Sequence, residues 1–175
     1  MKALIVVDVQ NDFCNVNGAL SNKETIEVVP KIAALVEQFR LNDDTIIYTR
    51  DTHDISYLLS QEGRNLPIKH CMYGSWGWKN VNEVDTAEIP NKNIMHINKN
   101  TFGYDCWEDE ELDMYEEVIV CGVMTDICVI SNVVNIKTNY PDLPIIVIAD
   151  CCAGTTPERH VAAIEVMKSL QVEIR

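Results

Sequence analysis

The chain predicts an α/β fold, a three-layer α/β/α sandwich around a parallel sheet of about six strands. Two observations carry that expectation. Short, continuous runs of apolar and β-branched residues, such as 2–7 and 143–148, read as strands buried on both faces, and they alternate with stretches whose apolar residues recur at helical spacing. At 175 residues and 47% hydrophobic, the chain is also the size of one domain with a sizeable core, so residues 1–175 are expected to fold as a single unit.

The first strand runs from Lys2 to Val7, and Asp8 stands at its carboxyl end, the edge at which open α/β sheets bind ligands. Asp8-Val9-Gln10-Asn11-Asp12-Phe13 follows without a Gly-rich turn, which excludes a phosphate loop and a dinucleotide-binding turn. Pro30 suits the first turn of a helix with Ile32, Leu35, Val36 and Phe39 on its apolar side, ended by Asn42-Asp43-Asp44. Thr45 to Tyr48 forms the second strand, whose carboxyl end delivers Asp51-Thr52-His53.

From Asp51 to about Asn93 no periodicity holds, and a loop-rich stretch of that length in a compact domain is usually functional or disordered. Its composition favours function. Asp51, His53, Glu62 and His70 are oxygen and nitrogen donors suited to zinc, manganese or iron(II), although loop carboxylates and histidines are more often simply solvated. Tyr73-Gly74-Ser75-Trp76-Gly77-Trp78 carries two tryptophans able to wall a pocket or to cover core or a subunit interface.

Ile94 to Ile97 is the third strand, leading to Lys99-Asn100-Thr101-Phe102-Gly103, and Glu108 to Glu116 is an acidic segment expected to be exposed. Val118 to Cys121 is the fourth strand. Gly122 permits a tight turn, and Thr125 or Asp126 is expected to cap a helix bearing Ile127, Ile130, Val133, Val134 and Ile136 on one side. Cys128 then lies in the first helical turn, where the positive helix end and free backbone N–H groups favour a thiolate and an adjacent oxyanion. Its bland alternative is a small buried apolar side chain.

Leu143 to Ile148 is the fifth strand, ending at Asp150-Cys151-Cys152. Thr155 or Thr156, before Pro157, starts a last helix with Val161, Ile164, Met167 and Leu170 as its stripe, and Val172 to Ile174 adds an edge strand. Cys151 and Cys152 are expected to be buried structural thiols, and His160 a helix-packing residue.

A formal net charge of −13 argues against partners that need clustered lysine and arginine, namely nucleic acid and anionic membrane surfaces. The opening apolar run is cut at Asp8, far short of a leader or a membrane span. Seven cysteines, an odd number without a Cys-x-x-Cys pair, argue against a disulfide framework and for the reducing cytoplasm.

Three segments resemble the isochorismatase-like cysteine hydrolases, whose best-known members are nicotinamidases: Asp8 to Phe13 with Gly18-Ala19-Leu20, Lys99 to Phe102, and Gly122 to Val129. The resemblance implies an isochorismatase-like, Rossmann-like fold with Asp8 as acid/base, Lys99 as third catalytic residue and Cys128 as nucleophile. It implies an oxyanion hole from the N–H groups of Met124 and Cys128, a cis peptide between Val123 and Met124, and Phe13 facing a planar substrate. It further implies a divalent metal, zinc first and manganese or iron(II) after it, on Asp51, His53 and His70, with Glu62 as fourth ligand.

One departure stands out. Where the family has Trp-Pro-x-His-Cys, this chain has Leu66-Pro67-Ile68-Lys69-His70-Cys71, so a stacking wall is missing or is supplied by Trp76. The expected partner is a small-molecule amide, nicotinamide ahead of another small amide or an isochorismate-type ether, with a homo-oligomer left open. A catalytically idle binding module and a flavodoxin-like nucleotide binder are the readings outside this chemistry.

Overall fold

Six parallel strands make one sheet in the computed structural model, which describes residues 1–85 and 93–175. In chain order the elements are β1 (Ala3–Val7), α1 (Asn11–Cys14), α2 (Lys23–Glu27), α3 (Val29–Leu41), β2 (Thr45–Asp51), α4 (Gln61–Asn65), β3 (Ile94–Lys99), β4 (Val118–Val123), α5 (Ile130–Asn139), β5 (Ile145–Ala153), α6 (Pro157–Ser169) and β6 (Glu173–Ile174). The strand order is β3-β2-β1-β4-β5-β6. The chain builds outward from β1 to β3, then returns to the centre and builds the other way, so a topological switch point lies between β1 and β4. Right-handed crossovers running in opposite directions put α3 on one face and α5 and α6 on the other, which makes the three layers.

Burial explains the sequence pattern. β1 and β4 are buried at every position because each has strands on both edges and helices on both faces, and their residues are accordingly continuous apolar runs. β3, at the sheet edge, mixes buried and exposed positions. Pro30 sits in the first turn of α3, and Asn42 and Asp43 end it, Asp43 in the left-handed region at φ 57°. Thr156 caps α6 by accepting from the Arg159 N–H.

Four expectations need correction. Neither Thr125 nor Asp126 caps a helix: Thr125–Val129 is a π-helical turn that opens from extended Met124 without a side-chain cap. The reason is competition, since the Thr125 hydroxyl lies 2.9 Å from His160 Nδ1 and Asp126 accepts from Thr155. Val134 and Val161 are exposed, because Val133 and Ile136 take the core side of α5 and Ala163, Ile164 and Met167 that of α6. The acidic segment 108–116 is not uniformly exposed either; Leu112 and Tyr115 are buried and pin it.

In the loop-rich stretch, Tyr57–Leu59 forms a 3₁₀ turn ahead of α4, and residues 86–92 lie outside the described residues. All seven cysteines are free, six of them buried and Cys106 partly so. Among the described residues no helix is long and apolar enough to cross a membrane.

Candidate active site

Asp8, Lys99 and Cys128 come from three strand ends: Asp8 follows β1, Lys99 closes β3, and Cys128 lies in the turn after β4. Lys99 Nζ meets Asp8 Oδ2 at 2.6 Å, both side chains being almost wholly buried, and it also donates to the Thr101 carbonyl at 3.1 Å. Thr49 of β2 donates its hydroxyl to Asp8 Oδ1 at 2.7 Å. Asp8 itself holds φ 52°, a left-handed conformation that costs a non-glycine residue on the order of 1–3 kcal/mol.

Gln10, fully buried, ties the neighbouring strand end into place: its amide donates to the Asp51 and Trp78 carbonyls at 2.8 and 2.9 Å and accepts from the Asp51 N–H at 2.8 Å. Thr49 and Gln10 were missed by sequence reasoning. A signal existed for each, because a hydroxyl inside a buried strand and a buried glutamine both require partners.

Gly122 lets β4 approach β1. It holds φ 123°, and a Cβ there would lie 2.2 Å from the Val7 carbonyl oxygen. The Val123–Met124 peptide that follows is cis. Asn132 donates to the Cys128 carbonyl at 2.8 Å and fixes the far side of the turn.

The electrostatics at Cys128 are dominated by burial. Burial pushes the Cys128 thiol well above its ordinary range, outweighing the Lys99 ammonium, while the nearby Asp8 and Asp51 charges raise it further. Removal from water costs an anion more than one ammonium returns, and this works against the thiolate. Burial also raises Asp8 against the pull of Lys99, and Lys99 stays charged because Asp8 and Cys128 outweigh its own desolvation.

A few residues further along β2 and its loop, one ligand atom each from Asp51, His53 and His70 lies within 4.8 Å of the others. Asp51 Oδ2 is 2.9 Å from His53 Nε2 and 3.3 Å from His70 Nε2. Glu62 Oε1 stands 3.8 and 3.7 Å from the same two nitrogens. His70 Nδ1 lies 2.9 Å from the Ile68 carbonyl, and with its proton there Nε2 turns a lone pair inward. His53 Nε2 is buried and, although 2.9 Å from Asp51 Oδ2, is not aligned for a hydrogen bond. An orphaned imidazole nitrogen facing a second imidazole and a carboxylate is what a divalent metal would satisfy, so the donor set fits one.

Although burial works against it, the two imidazoles beside Asp51 hold its carboxyl well below the usual range. Asp12, also missed, supports the cluster by accepting from the Cys71 N–H at 2.7 Å where Cys71 adopts φ 46°, next to His70.

A cleft of about 750 Å³ opens beside His53 and Glu62, between α4 and the loop after β3. Phe13 is buried with its ring centroid 5.6 Å from that of His70. Trp76 is half exposed, and its carbonyl accepts from Asn11 at 2.9 Å. Neither aromatic lines the cleft.

A family model described as the isochorismatase domain matches residues 2–175. The nicotinamidase of Schizosaccharomyces pombe is 26% identical, over 98% of this chain and 91% of its own. The crystal structure of the nicotinamidase/pyrazinamidase PncA from Bacillus subtilis superposes with a TM-score of 0.88 at 25% identity, covering 99% of this chain and 98% of that one. The pyrazinamidase of Pyrococcus horikoshii, in complex with zinc, gives a TM-score of 0.83 at 28% identity over 99% of this chain and 98% of that one.

Proposed function

We propose a function from one premise: the chain belongs to the isochorismatase domain family, and as such it is a hydrolase acting on a carboxamide. Its substrate is nicotinamide, hydrolysed to nicotinate and ammonia through a thioester on Cys128. The observation that carries this reading is the buried Asp8–Lys99 ion pair at 2.6 Å, with the buried Cys128 thiol near enough to feel both charges.

The chemistry follows from that contact. Asp8 takes the thiol proton as sulfur attacks the carboxamide carbonyl, and Lys99, fixed at Asp8 Oδ2, offsets the negative charge gathering there. The N–H groups of Met124 and Cys128 receive the oxyanion, each such donor being worth ~2.7–4 kcal/mol of barrier. Asp8 then gives its proton to the departing nitrogen; the C–N bond breaks, ammonia leaves and the acyl group remains on sulfur. With Asp8 as base again, water attacks the thioester, the carboxylate product forms, and the thiol recovers its proton. Phe13 and Trp76 are proposed to flank the ring. A divalent ion on Asp51, His53 and His70, with Glu62 as fourth donor, would supply a Lewis-acid anchor for the pyridine nitrogen; zinc is proposed, as in the Pyrococcus horikoshii pyrazinamidase.

The test is ammonia release from nicotinamide and from a panel of small amides, with protein as purified, after chelation, and after return of zinc, manganese or iron(II). Release from nicotinamide is expected, and Cys128→Ala should lower it at least about a thousandfold. Hydrolysis of another amide with none from nicotinamide in any metal state would remove the nicotinamidase assignment.

A further inference from the structure

The cleft beside the metal-ligand cluster is larger than nicotinamide needs. At about 750 Å³ it falls in the range of roughly 300–1,000 Å³ that encloses a drug-sized ligand, whereas nicotinamide is one ring and one carboxamide. None of Asp8, Lys99 and Cys128 lines it; its inner end is at His53 and Glu62 and at Thr101, whose carbonyl holds Lys99, so an arm reaching past the ligand cluster would enter it. Its far wall is α4, where the Ser60 hydroxyl is spent on capping, donating to the Tyr57 carbonyl and accepting from the Gly63 N–H. Gln61 and Asn65 bring two carboxamides, and Asn100 brings another to the lining. Such groups both donate and accept, which matches hydroxyls better than it matches a hydrocarbon. Tyr73 and Phe102, 69% and 50% exposed, add aromatic faces to the same lining.

The charge of the lining is one-sided. Among the described residues no lysine or arginine lines the cleft, while Asp54 and Glu62 do. Asp8 and Lys99 cancel as an ion pair, and Asp51, Asp54 and Glu62 together outweigh even a divalent ion. An anionic substituent would meet this field and the chain's formal net charge of −13, with no lysine or arginine among the described lining residues to pair with.

We infer that the site takes carboxamides larger than nicotinamide, bearing a neutral or cationic hydroxylated arm, and rejects amides whose arm carries a carboxylate or phosphate. This rests on the amidase reading above and narrows its substrate class. The experiment compares kcat/KM for nicotinamide, for nicotinamides with a neutral polyhydroxyalkyl arm at each free ring carbon in turn, and for their carboxylate-ended counterparts. At one ring position the neutral arm should raise kcat/KM about tenfold over nicotinamide, and the carboxylate should lower it at least about tenfold from the neutral arm. Asn65→Lys, on the exposed end of α4, should narrow that neutral-to-anionic ratio at least about threefold, a ratio that partial unfolding does not move. Nicotinamide turned over as fast as every armed amide, or equal rates for neutral and anionic arms, would overturn the inference while leaving the amidase standing. Hydrolysis of none of these amides would take down the amidase reading and this inference with it.

Discussion

In the proposed reaction Thr49 sets how readily Asp8 can act as a base. Burial already raises the Asp8 carboxyl, and Thr49 is one of the groups holding it down, through a 2.7 Å hydrogen bond to Oδ1. Thr49→Val keeps the shape and removes that bond, so Asp8 should be protonated at a higher pH than in the parent. Since a protonated Asp8 cannot take the thiol proton, the acid limb of kcat/KM must move upward. Activity on the acid side should fall about tenfold, in keeping with ~1.5–3 kcal/mol for a hydrogen bond to a charged group, and Thr49→Ser should restore it. A pH profile of the two variants decides this; an unmoved limb in Thr49→Val would reduce Thr49 to packing. At this scale the sequence made placement legible where a chemical residue follows a strand end within a recognisable segment, as Asp8, Lys99 and Cys128 do; their roles belong to the proposal. It was illegible where the partner comes from another strand, as for Thr49 and Gln10, and where burial decides protonation, as for the Cys128 thiol.

The turn that carries Cys128 is held from outside itself. Its Asp126 accepts from the Thr155 N–H at 2.7 Å and from the Thr155 hydroxyl at 2.5 Å, and Thr125 meets His160, so α6 and the residues before it clamp the π-helical turn. Asp126→Ala and Thr155→Ala should each destabilise the protein by about 1–3 kcal/mol, and the double variant by less than the sum, because the two share one interaction. Denaturant unfolding of the four proteins measures the coupling; strict additivity would show that the clamp contributes nothing. The strands were readable in advance because burial on both faces writes itself as an unbroken apolar run. The π-helical turn was not, since its partners lie 29 and 35 residues away and a Thr-Asp pair before an apolar stripe is indistinguishable locally from an ordinary cap.

At the scale of the molecule, the sheet gathers carboxyl ends of four strands, and the ligand cluster on β2 and its loop is part of the folded state only. A divalent ion that binds the native site and not the unfolded chain stabilises by mass action, by ~2.7 kcal/mol at a hundredfold excess over Kd. For a chain of this length that is a rise of about 5–10 °C in Tm. Chelated protein should melt lower by this amount, recover on adding zinc, and lose the response in His70→Ala; an unchanged Tm in all three would argue against a resident metal.

The Gly122 contact has a bearing on how this scaffold can vary. Asp8 hangs from β1 one residue beyond Val7, and Cys128 from β4 six residues beyond Gly122, so the spacing of the proposed acid and nucleophile is gauged at the point where Val7 and Gly122 stand side by side in the sheet. With the carbonyl 2.2 Å from where a methyl would sit, that gauge is already closed to its stop. Drift in the helices, the loops or the cleft can proceed around it, but a lineage that once replaced Gly122 would have to move a whole strand, and with it half of the catalytic set, to accommodate one carbon atom.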